Sequence, residues 1–391
     1  MILKNCRLIA SLAGGIASDA GYVQIEEGKI EFVSGEPYTG KEADVDCQGM
    51  TLLPGLIDLH THIPDFGGIA ANCANDPMQV LIEAAVQAAS YLDYGFTTVR
   101  DCGSIGRAAN YVREMIGRGL IQGPDILACG NTLMPSVISE ESSLGPMIHF
   151  CDGEEAFRKG VREEVAHQAD FIKIYASGSA FNPKGAPKNP IMTQEEILTA
   201  VETARANDLY VAAHCHADSA IRTCIESGVR TIEHGTYMSE GTIELLCRTE
   251  DAYLVPTMAA MYVSQTEPEA RAFWLERLNP MLVQCSAAME SAYHAGVKIG
   301  FGTDCAPKST QYEKGIEFQM RKENCHMQDE DILLQATKNS AEIAGISEQV
   351  GEIRPGLTAD LILVDGNPDQ DISVMYGKPV KVWKKGRLCR S

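Results

Sequence analysis

Short segments in which apolar and polar residues alternate lie at both ends of the chain. They are residues 2–9, 22–25, 29–33, 360–365 and 380–386. A period of two residues is typical of β-strands with one buried face, and Gly and Asp residues supply turns between the segments. We therefore predict a small composite β-sandwich domain built from both termini, residues 1–54 and 351–391.

The middle of the chain follows a different pattern, in which short apolar runs alternate with amphipathic segments of helical period. The strand-like runs are residues 52–59, 97–101, 125–128, 171–175, 210–213, 231–233, 253–256 and 298–301. The helical segments include residues 78–94, 154–168, 194–207 and 268–295. Eight such runs predict an α/β fold, a (β/α)8 TIM barrel over residues 55–350. A doubly wound sheet is the competing fold.

Composition narrows the class of protein. The chain has 391 residues, and its net charge of −20 disfavours nucleic acid and anionic membrane surfaces as partners. No apolar run approaches the roughly 20 residues that span a bilayer, and the first residues lack a signal-peptide pattern. Thirteen cysteines without paired spacing indicate free thiols in a reducing compartment, so we expect a cytoplasmic protein. A homo-oligomer is compatible with the sequence, which reveals no interface.

Candidate metal ligands stand at the ends of the strand-like runs. His60 and His62 end the first run, and their side chains share one side of a strand, so both imidazoles can reach one metal ion. Asp304 ends the eighth run and can bind the same ion, although a helix cap or turn is the alternative. His214 and His234 end the fifth and sixth runs and suit a second ion.

Two neighbours of these histidines are interpreted differently. His216 shares the side-chain direction of His214 and is expected to lie just beside the second metal ion. Glu233 precedes His234 directly, so alternation along the strand predicts that it points the other way and is structural.

Lys173 is the diagnostic residue, because it lies inside the fourth apolar run, where an isolated ammonium group is costly. A neutral amine can add carbon dioxide and become a carbamate, an anionic ligand able to bridge two metal ions. The alternative is a lysine that extends out of the barrel or pairs with an acid. Only a closed barrel brings the ends of the first, fourth, fifth, sixth and eighth strands to one centre, which favours the barrel and the carbamate together.

These motifs resemble the amidohydrolase superfamily, in its binuclear branch with a carboxylated lysine. Within it the chain is similar to the imidazolonepropionase-related amidohydrolases, which include Xaa-Pro dipeptidases and other metal-dependent carboxypeptidases. The resembling segments are PGLIDLHTH (54–62), GFTTVRD (95–101), FIKIYASG (171–178), TIEHG (231–235), GTD (302–304) and GEIRPGLTADL (351–361).

The resemblance implies two divalent ions, with Zn²⁺ the first choice. It implies that one ion is held by His60, His62 and Asp304, the other by His214 and His234, and that N6-carboxylated Lys173 bridges them. Relatives often carry a histidine after the third strand that contacts the substrate carbonyl. Residues 130–137 contain no histidine here, and His149 is the candidate substitute.

Such a site predicts a binuclear amidohydrolase that cleaves an amide or peptide bond through a metal-bridging hydroxide. Xaa-Pro dipeptides or N-acyl amino acids are the expected substrates, and Asp304 is the expected catalytic residue, passing a proton to the leaving nitrogen. A cyclic-amide hydrolase, a deaminase and, last, a non-catalytic scaffold are the alternatives. A deaminase is disfavoured because residues 214–219 contain no glutamate.

Substrate contacts are less sharply indicated. Tyr237 can donate to a carbonyl or carboxylate, with simple packing as the alternative. Lys184 and Lys188 lie in a loop where they can attract a carboxylate or remain solvated. Arg100 is expected to form a structural ion pair, and the long loop at residues 135–146 is expected to cover the pocket.

Overall fold

The structure is a computed structural model, and it describes residues 1–40, 42–64, 76–138, 145–180, 186–266, 272–305 and 310–391. Its strands are β1 (Ile2–Leu8), β2 (Ser18–Glu26), β3 (Lys29–Ser34), β4 (Val45–Asp46), β5 (Thr51–Pro54), β6 (Leu56–Thr61), β7 (Phe96–Asp101), β8 (Asp125–Ala128), β9 (Thr132–Met134), β10 (Ile148–Phe150), β11 (Ile172–Tyr175), β12 (Val211–Cys215), β13 (Thr231–His234), β14 (Tyr253–Val255), β15 (Leu361–Val364), β16 (Lys381–Lys384) and β17 (Arg387–Arg390).

The helices alternate with the strands through the middle of the chain. They are α1 (Pro77–Tyr91), α2 (Ala108–Gly117), α3 (Glu154–Ala166), α4 (Gln194–Arg205), α5 (Asp218–Glu226), α6 (Glu240–Arg248), α7 (Met258–Thr266), α8 (Ala272–His294), α9 (Thr310–Lys314), α10 (Ile316–Glu323), α11 (Asp329–Leu334) and α12 (Ser340–Ala344), with a π-helical turn at Gln335–Asn339. No described helix is both long and apolar enough to cross a membrane.

Both ends of the chain enter one sheet, whose order is β17-β16-β15-β5-β1-β2-β3, with β4 paired to β1. The antiparallel pairing of β15 with β5 joins the two ends of the chain, and in it Leu363 lies opposite Leu52. Alternate side chains of these strands, together with Trp383, form a separate buried apolar cluster. The division at residues 54 and 351 stays a prediction.

The middle of the chain forms parallel sheets, as expected for an α/β fold. One has the order β10-β9-β11-β12-β13-β14 and another the order β6-β7-β8. Backbone hydrogen bonds lead from one sheet to the other: Leu59 N donates to Phe301 O and Gly300 N to Leu254 O. On the opposite side, Asp170 N donates to Ala128 O.

The predicted first strand, residues 52–59, is wrong as a single element. The chain changes sheets there, because β5 pairs with β15 and β6 pairs with β7. Gly55 sits between the two strands; its N–H donates to Asp360 O, and a Cβ at this position would clash with the Thr97 side chain. Only glycine lets the backbone pass this close.

Other boundaries differ in smaller ways. The predicted strand at 298–301 makes only one isolated β-bridge, Ile299 with Leu254. The sequence did not predict β9 and β10, which are three residues each. The helical segments are confirmed to within three residues where described, and Thr193 and Glu196 form the expected capping box at α4.

We predict that Trp383→Ala lowers the free energy of unfolding by about 3–5 kcal/mol, because the ring fills the core of the composite sheet and is 1% exposed. Leu388→Ala is the matched control, since Leu388 lies directly opposite Trp383 on β17 but is 50% exposed. Urea denaturation of both variants measures the difference. Equal effects would contradict a buried role for the tryptophan.

Candidate metal centre and active site

The predicted ligands converge where the parallel strands end. His60 and Lys173 lie on β6 and β11, His214 on β12, and His234 ends β13. His60, His62 and Asp304 form one group, and His214, His216 and His234 form another; within each, the potential ligand atoms lie within 4.8 Å of one another. The rings of His60 and His234, 4.8 Å apart, join the two groups.

Two of these residues have left-handed backbone conformations. His234 has φ 70° and Asp304 has φ 56°. Such angles are uncommon for residues other than glycine and concentrate at functional sites. They end the regular alternation of the strands, and the two side chains can turn over the strand ends toward the other ligands. Asp304 Oδ1 thereby lies 3.2 Å from His62 Nε2 and 3.6 Å from His60 Nε2.

Hydrogen bonds at Nδ1 orient four of the imidazoles. The Nδ1 partners are Glu233 Oε2 for His60 (2.7 Å), Gly103 O for His62 (2.8 Å), Thr236 Oγ1 for His216 (2.8 Å) and Thr257 Oγ1 for His234 (2.6 Å). An Nδ1–H that donates to such a partner leaves the Nε2 lone pair for a metal ion. His214 instead stacks on Tyr175, with ring centroids 4.1 Å apart.

Burial keeps most of these rings neutral. It lowers the pKa of His60 to about 4 and the pKa of His216 to about 3, and it also lowers the pKa values of His214 and His234. The Lys173 charge acts in the same direction on all four. Neutral imidazole is the form that binds metal ions, so these residues need no deprotonation at neutral pH.

Two buried nitrogen atoms are unpartnered within the described part of the chain, Lys173 Nζ and His234 Nε2. Lys173 is 1% exposed. A buried ammonium without a hydrogen bond or a close anion is costly, and so is an unsatisfied ring nitrogen. His234 belongs to one of the two ligand groups, and the Lys173 charge acts on the histidines of both groups. This donor set suits Zn²⁺ and other first-row divalent ions.

The prediction that Glu233 points away from the histidines is wrong. Its carboxylate contacts His60 Nδ1 and, through Oε1, Arg100 Nη2 at 2.6 Å. Arg100 forms the ion pair expected of it, and both partners are fully buried. Burial raises the pKa of Glu233, but Arg100 and Lys173 outweigh this effect and lower it, so the carboxylate is ionised.

A second buried carboxylate, which the sequence analysis missed, holds the loop that carries Asp304. Asp58 accepts hydrogen bonds from His60 N, Thr303 N, Thr303 Oγ1 and Tyr312 Oη. It therefore joins β6, the segment before Asp304 and α9. An acidic residue two positions before His60 on the strand was the available signal.

The two predicted substrate contacts, His149 and Tyr237, are not among the residues that line the pocket over the proposed ligands. His149 lies near α3, with Nδ1 3.5 Å from Glu163 and 3.7 Å from Glu164. Tyr237 is partly buried and lies beneath the Lys188 ammonium, which is 4.6 Å from its ring centroid. Lys184 and the middle of the 135–146 loop, residues 139–144, lie outside the described residues.

The pocket over the ligands has an apolar wall that sequence reasoning also missed. It is lined by Ala260 and Met261 of α7 and by Leu278 and Met281 of α8. Ser179 and Ala180 lie in the same lining. Helical periodicity alone could not distinguish these residues from ordinary core positions, because both are apolar.

A model of the Amidohydrolase family matches residues 51–389. Because this match covers most of the sequence, the chain belongs to the amidohydrolase family. The resemblance of the motifs to amidohydrolases is confirmed, and the protein is an enzyme, a hydrolase that acts on C–N bonds. The carboxylated lysine stays a prediction.

Similar proteins span nearly the whole chain. Ochratoxinase of Aspergillus niger is 27% identical, in an alignment that covers 90% of this chain and 80% of the ochratoxinase. A crystal structure of a Xaa-Pro dipeptidase with bound methionine has a TM-score of 0.88 and 28% identity, covering 100% and 99% of the two chains. A further amidohydrolase crystal structure has a TM-score of 0.88 and 30% identity, covering 99% and 98%.

We predict that Lys173→Met raises the free energy of unfolding of the metal-free protein by about 1–4 kcal/mol, because it replaces a buried charge that has no hydrogen-bond partner among the described residues with an apolar chain of similar length. Lys188→Met, at an exposed lysine, should change it by less than about 0.5 kcal/mol. Denaturation in the presence of a chelator measures both. A large loss of stability in the Lys173 variant would mean that its ammonium is paired in the folded protein.

Proposed function

We propose that the chain is a binuclear metal-dependent amidohydrolase that cleaves an amide or peptide bond of a small substrate. The observation that carries the proposal is a cluster of buried histidines and one ionised carboxylate that interact electrostatically with a buried lysine, whose Nζ has no hydrogen-bond partner among the described residues. Its architecture would be a closed (β/α)8 barrel with a β-sandwich domain. The hydrogen bonds from β14 through residues 298–301 to β6 support closure.

The residues present fit two divalent ions. His60, His62 and Asp304 would hold one ion, His214 and His234 would hold the other, and N6-carboxylated Lys173 would bridge them. Carboxylation forms a C–N bond between the neutral amine and carbon dioxide and releases one proton. It turns a buried cation without a hydrogen-bond partner among the described residues into an anionic oxygen ligand, which removes the cost of burying the ammonium.

When bound, divalent ions would supply a water of lowered pKa and a polarised substrate carbonyl. Asp304 lines the pocket and lies against His62. Burial raises its pKa, but His60 and His62 outweigh this effect and lower it, so the carboxylate is free to accept a proton. It would pass that proton to the leaving nitrogen, since an amine departs poorly as an anion; such transfer contributes roughly 10²–10⁴-fold.

The apolar wall of the pocket limits which substrates can bind. Met261, Leu278 and Met281 would contact an apolar side chain or acyl group beside the scissile bond. Xaa-Pro dipeptides and N-acyl amino acids meet this requirement, and one similar structure is a Xaa-Pro dipeptidase. Cyclic-amide hydrolysis is the second candidate on the same ligands. We retain a cytoplasmic location and a possible homo-oligomer as predictions.

The protein should bind about two zinc ions per chain when it is purified with zinc and bicarbonate. His234→Ala should lower this to about one, because it removes a ligand from one position only. Lys173→Met should lower it as well, and added bicarbonate should not restore the loss. Metal analysis together with the intact mass, which should include one carbon dioxide, tests these expectations. Wild-type protein without metal would favour a scaffold.

Turnover of a panel of Xaa-Pro dipeptides and apolar N-acyl amino acids should release a free amine and a new carboxylate. Ammonia should not appear, because the proposed reaction breaks an internal amide bond. Asp304→Asn should lower kcat by at least about 10²-fold, since it removes both a ligand and the proton acceptor. Ammonia release from aminated heterocycles, with no amide cleavage, would identify a deaminase instead.

A further inference from the structure

The four histidines that use Nδ1 to anchor their rings do not have equivalent partners. The Nδ1 partner of His60 is a carboxylate, that of Glu233, whereas the Nδ1 partner of His62 is the carbonyl of Gly103. The Nδ1 partners of His216 and His234 are the hydroxyls of Thr236 and Thr257, respectively. An ionised acceptor makes the donor ring more basic at Nε2 than a neutral acceptor does, and it holds one tautomer more firmly.

Arg100 keeps the Glu233 carboxylate ionised and in place. Its Nη2 donates to Glu233 Oε1, its Nη1 to Thr231 Oγ1 at 3.1 Å, and its Nε to Leu59 O at 2.6 Å. Leu59 precedes His60, so the same guanidinium positions both the backbone and, through Glu233, the ring of that histidine. Thr231 Oγ1 also donates to Glu233 at 2.6 Å.

The structure therefore gives the two proposed metal positions unequal support. The position of His60, His62 and Asp304 has a carboxylate ligand and a carboxylate behind one of its histidines. At the position of His214 and His234, the Thr257 hydroxyl lies behind His234, while His214 stacks on Tyr175 and has its Nε2 3.5 Å from the Gly178 carbonyl oxygen. None of these partners is a carboxylate.

We propose that Glu233 is a positioning residue that strengthens the His60 position selectively, so that the two metal ions bind in order, with this position filled first. The inference rests on the binuclear site proposed above. Glu233 touches neither substrate nor metal in this scheme; it acts through His60. The chemistry is that of a carboxylate, histidine and metal triad, in which loss of the carboxylate typically costs about 10–100-fold in metal affinity.

The test is a zinc titration of metal-free, full-length protein in bicarbonate buffer, with a competing chelator to measure each binding step. Wild-type protein should show two steps. Glu233→Gln should weaken the tighter step by about 10–100-fold and leave the weaker step within about threefold, because glutamine keeps the shape but not the charge. The double variant Arg100→Met/Glu233→Gln should behave in the same way without leaving a buried guanidinium unpaired.

Glu317→Gln is the matched control. Glu317 and Arg321 form another fully buried ion pair, in which the Glu317 carboxylate accepts hydrogen bonds from Arg321 Nε and Ala259 N. This variant should lose stability but leave both zinc steps unchanged. Thermal unfolding of all variants without metal reports the structural cost separately.

Each result of the titration either supports or contradicts the inference. Selective loss of the tighter step in both Glu233 variants supports the inference. The inference would be overturned by two equal steps in wild-type protein or by no change in the Glu233 variants. It would also be overturned by equal weakening of both steps, or by the same weakening in Glu317→Gln. None of these four results would contradict the proposed binuclear site. Wild-type protein that binds no zinc would overturn the proposed function as well.

Discussion

Burial of the Lys173 amine at the strand ends is the constraint on which the centre depends. The cost of a buried cation is large unless an anion or hydrogen bonds offset it, and the nearby carboxylates already have partners of their own. Glu233 is paired with Arg100, and Asp304 lies against His62. His60 and His234 are neutral and lose basicity in the presence of the lysine. Carboxylation of Lys173 and binding of divalent cations would together remove the cost of burying this ammonium group.

The positions of the proposed ligands were predictable because they depend on where strands end. Apolar runs locate the strands, and in parallel strands with crossover helices the carboxyl ends share one face. The position of Glu233 relative to the histidines was not predictable in the same way, because His234 is the residue that departs from the alternation. Thr231 and Glu233 follow the strand alternation and face Arg100 together, whereas His234 leaves it through its left-handed backbone. Sequence alternation assumes extended angles, so it fails at the residue where the strand turns.

The change of sheet at Gly55 was not predicted either, and the reason again lies in the pattern of the strand. Residues 52–59 are all buried and, apart from Asp58, have no polar side chain, and burial on both faces erases the period that separates one strand from two. The clash that requires glycine there involves Thr97, which is distant in sequence. Short strands such as β9 and β10 also lie below the length at which a period can be recognised. Local sequence therefore predicted the class of each segment better than its partners.

The composite sheet and the centre are linked through the same strand boundary. β5 ends in the composite sheet at Pro54, and β6 begins one residue after Gly55 and runs directly to His60. Asp58 then ties that strand to Thr303 and Tyr312, so the backbone that carries Asp304 is held against the backbone that carries His60. Arg100 adds a third tie, at Leu59 O. Carboxylates and a guanidinium buried beneath the histidines thus set the ligand geometry, because rigid support is what lets nearby imidazoles share a small space without rearranging.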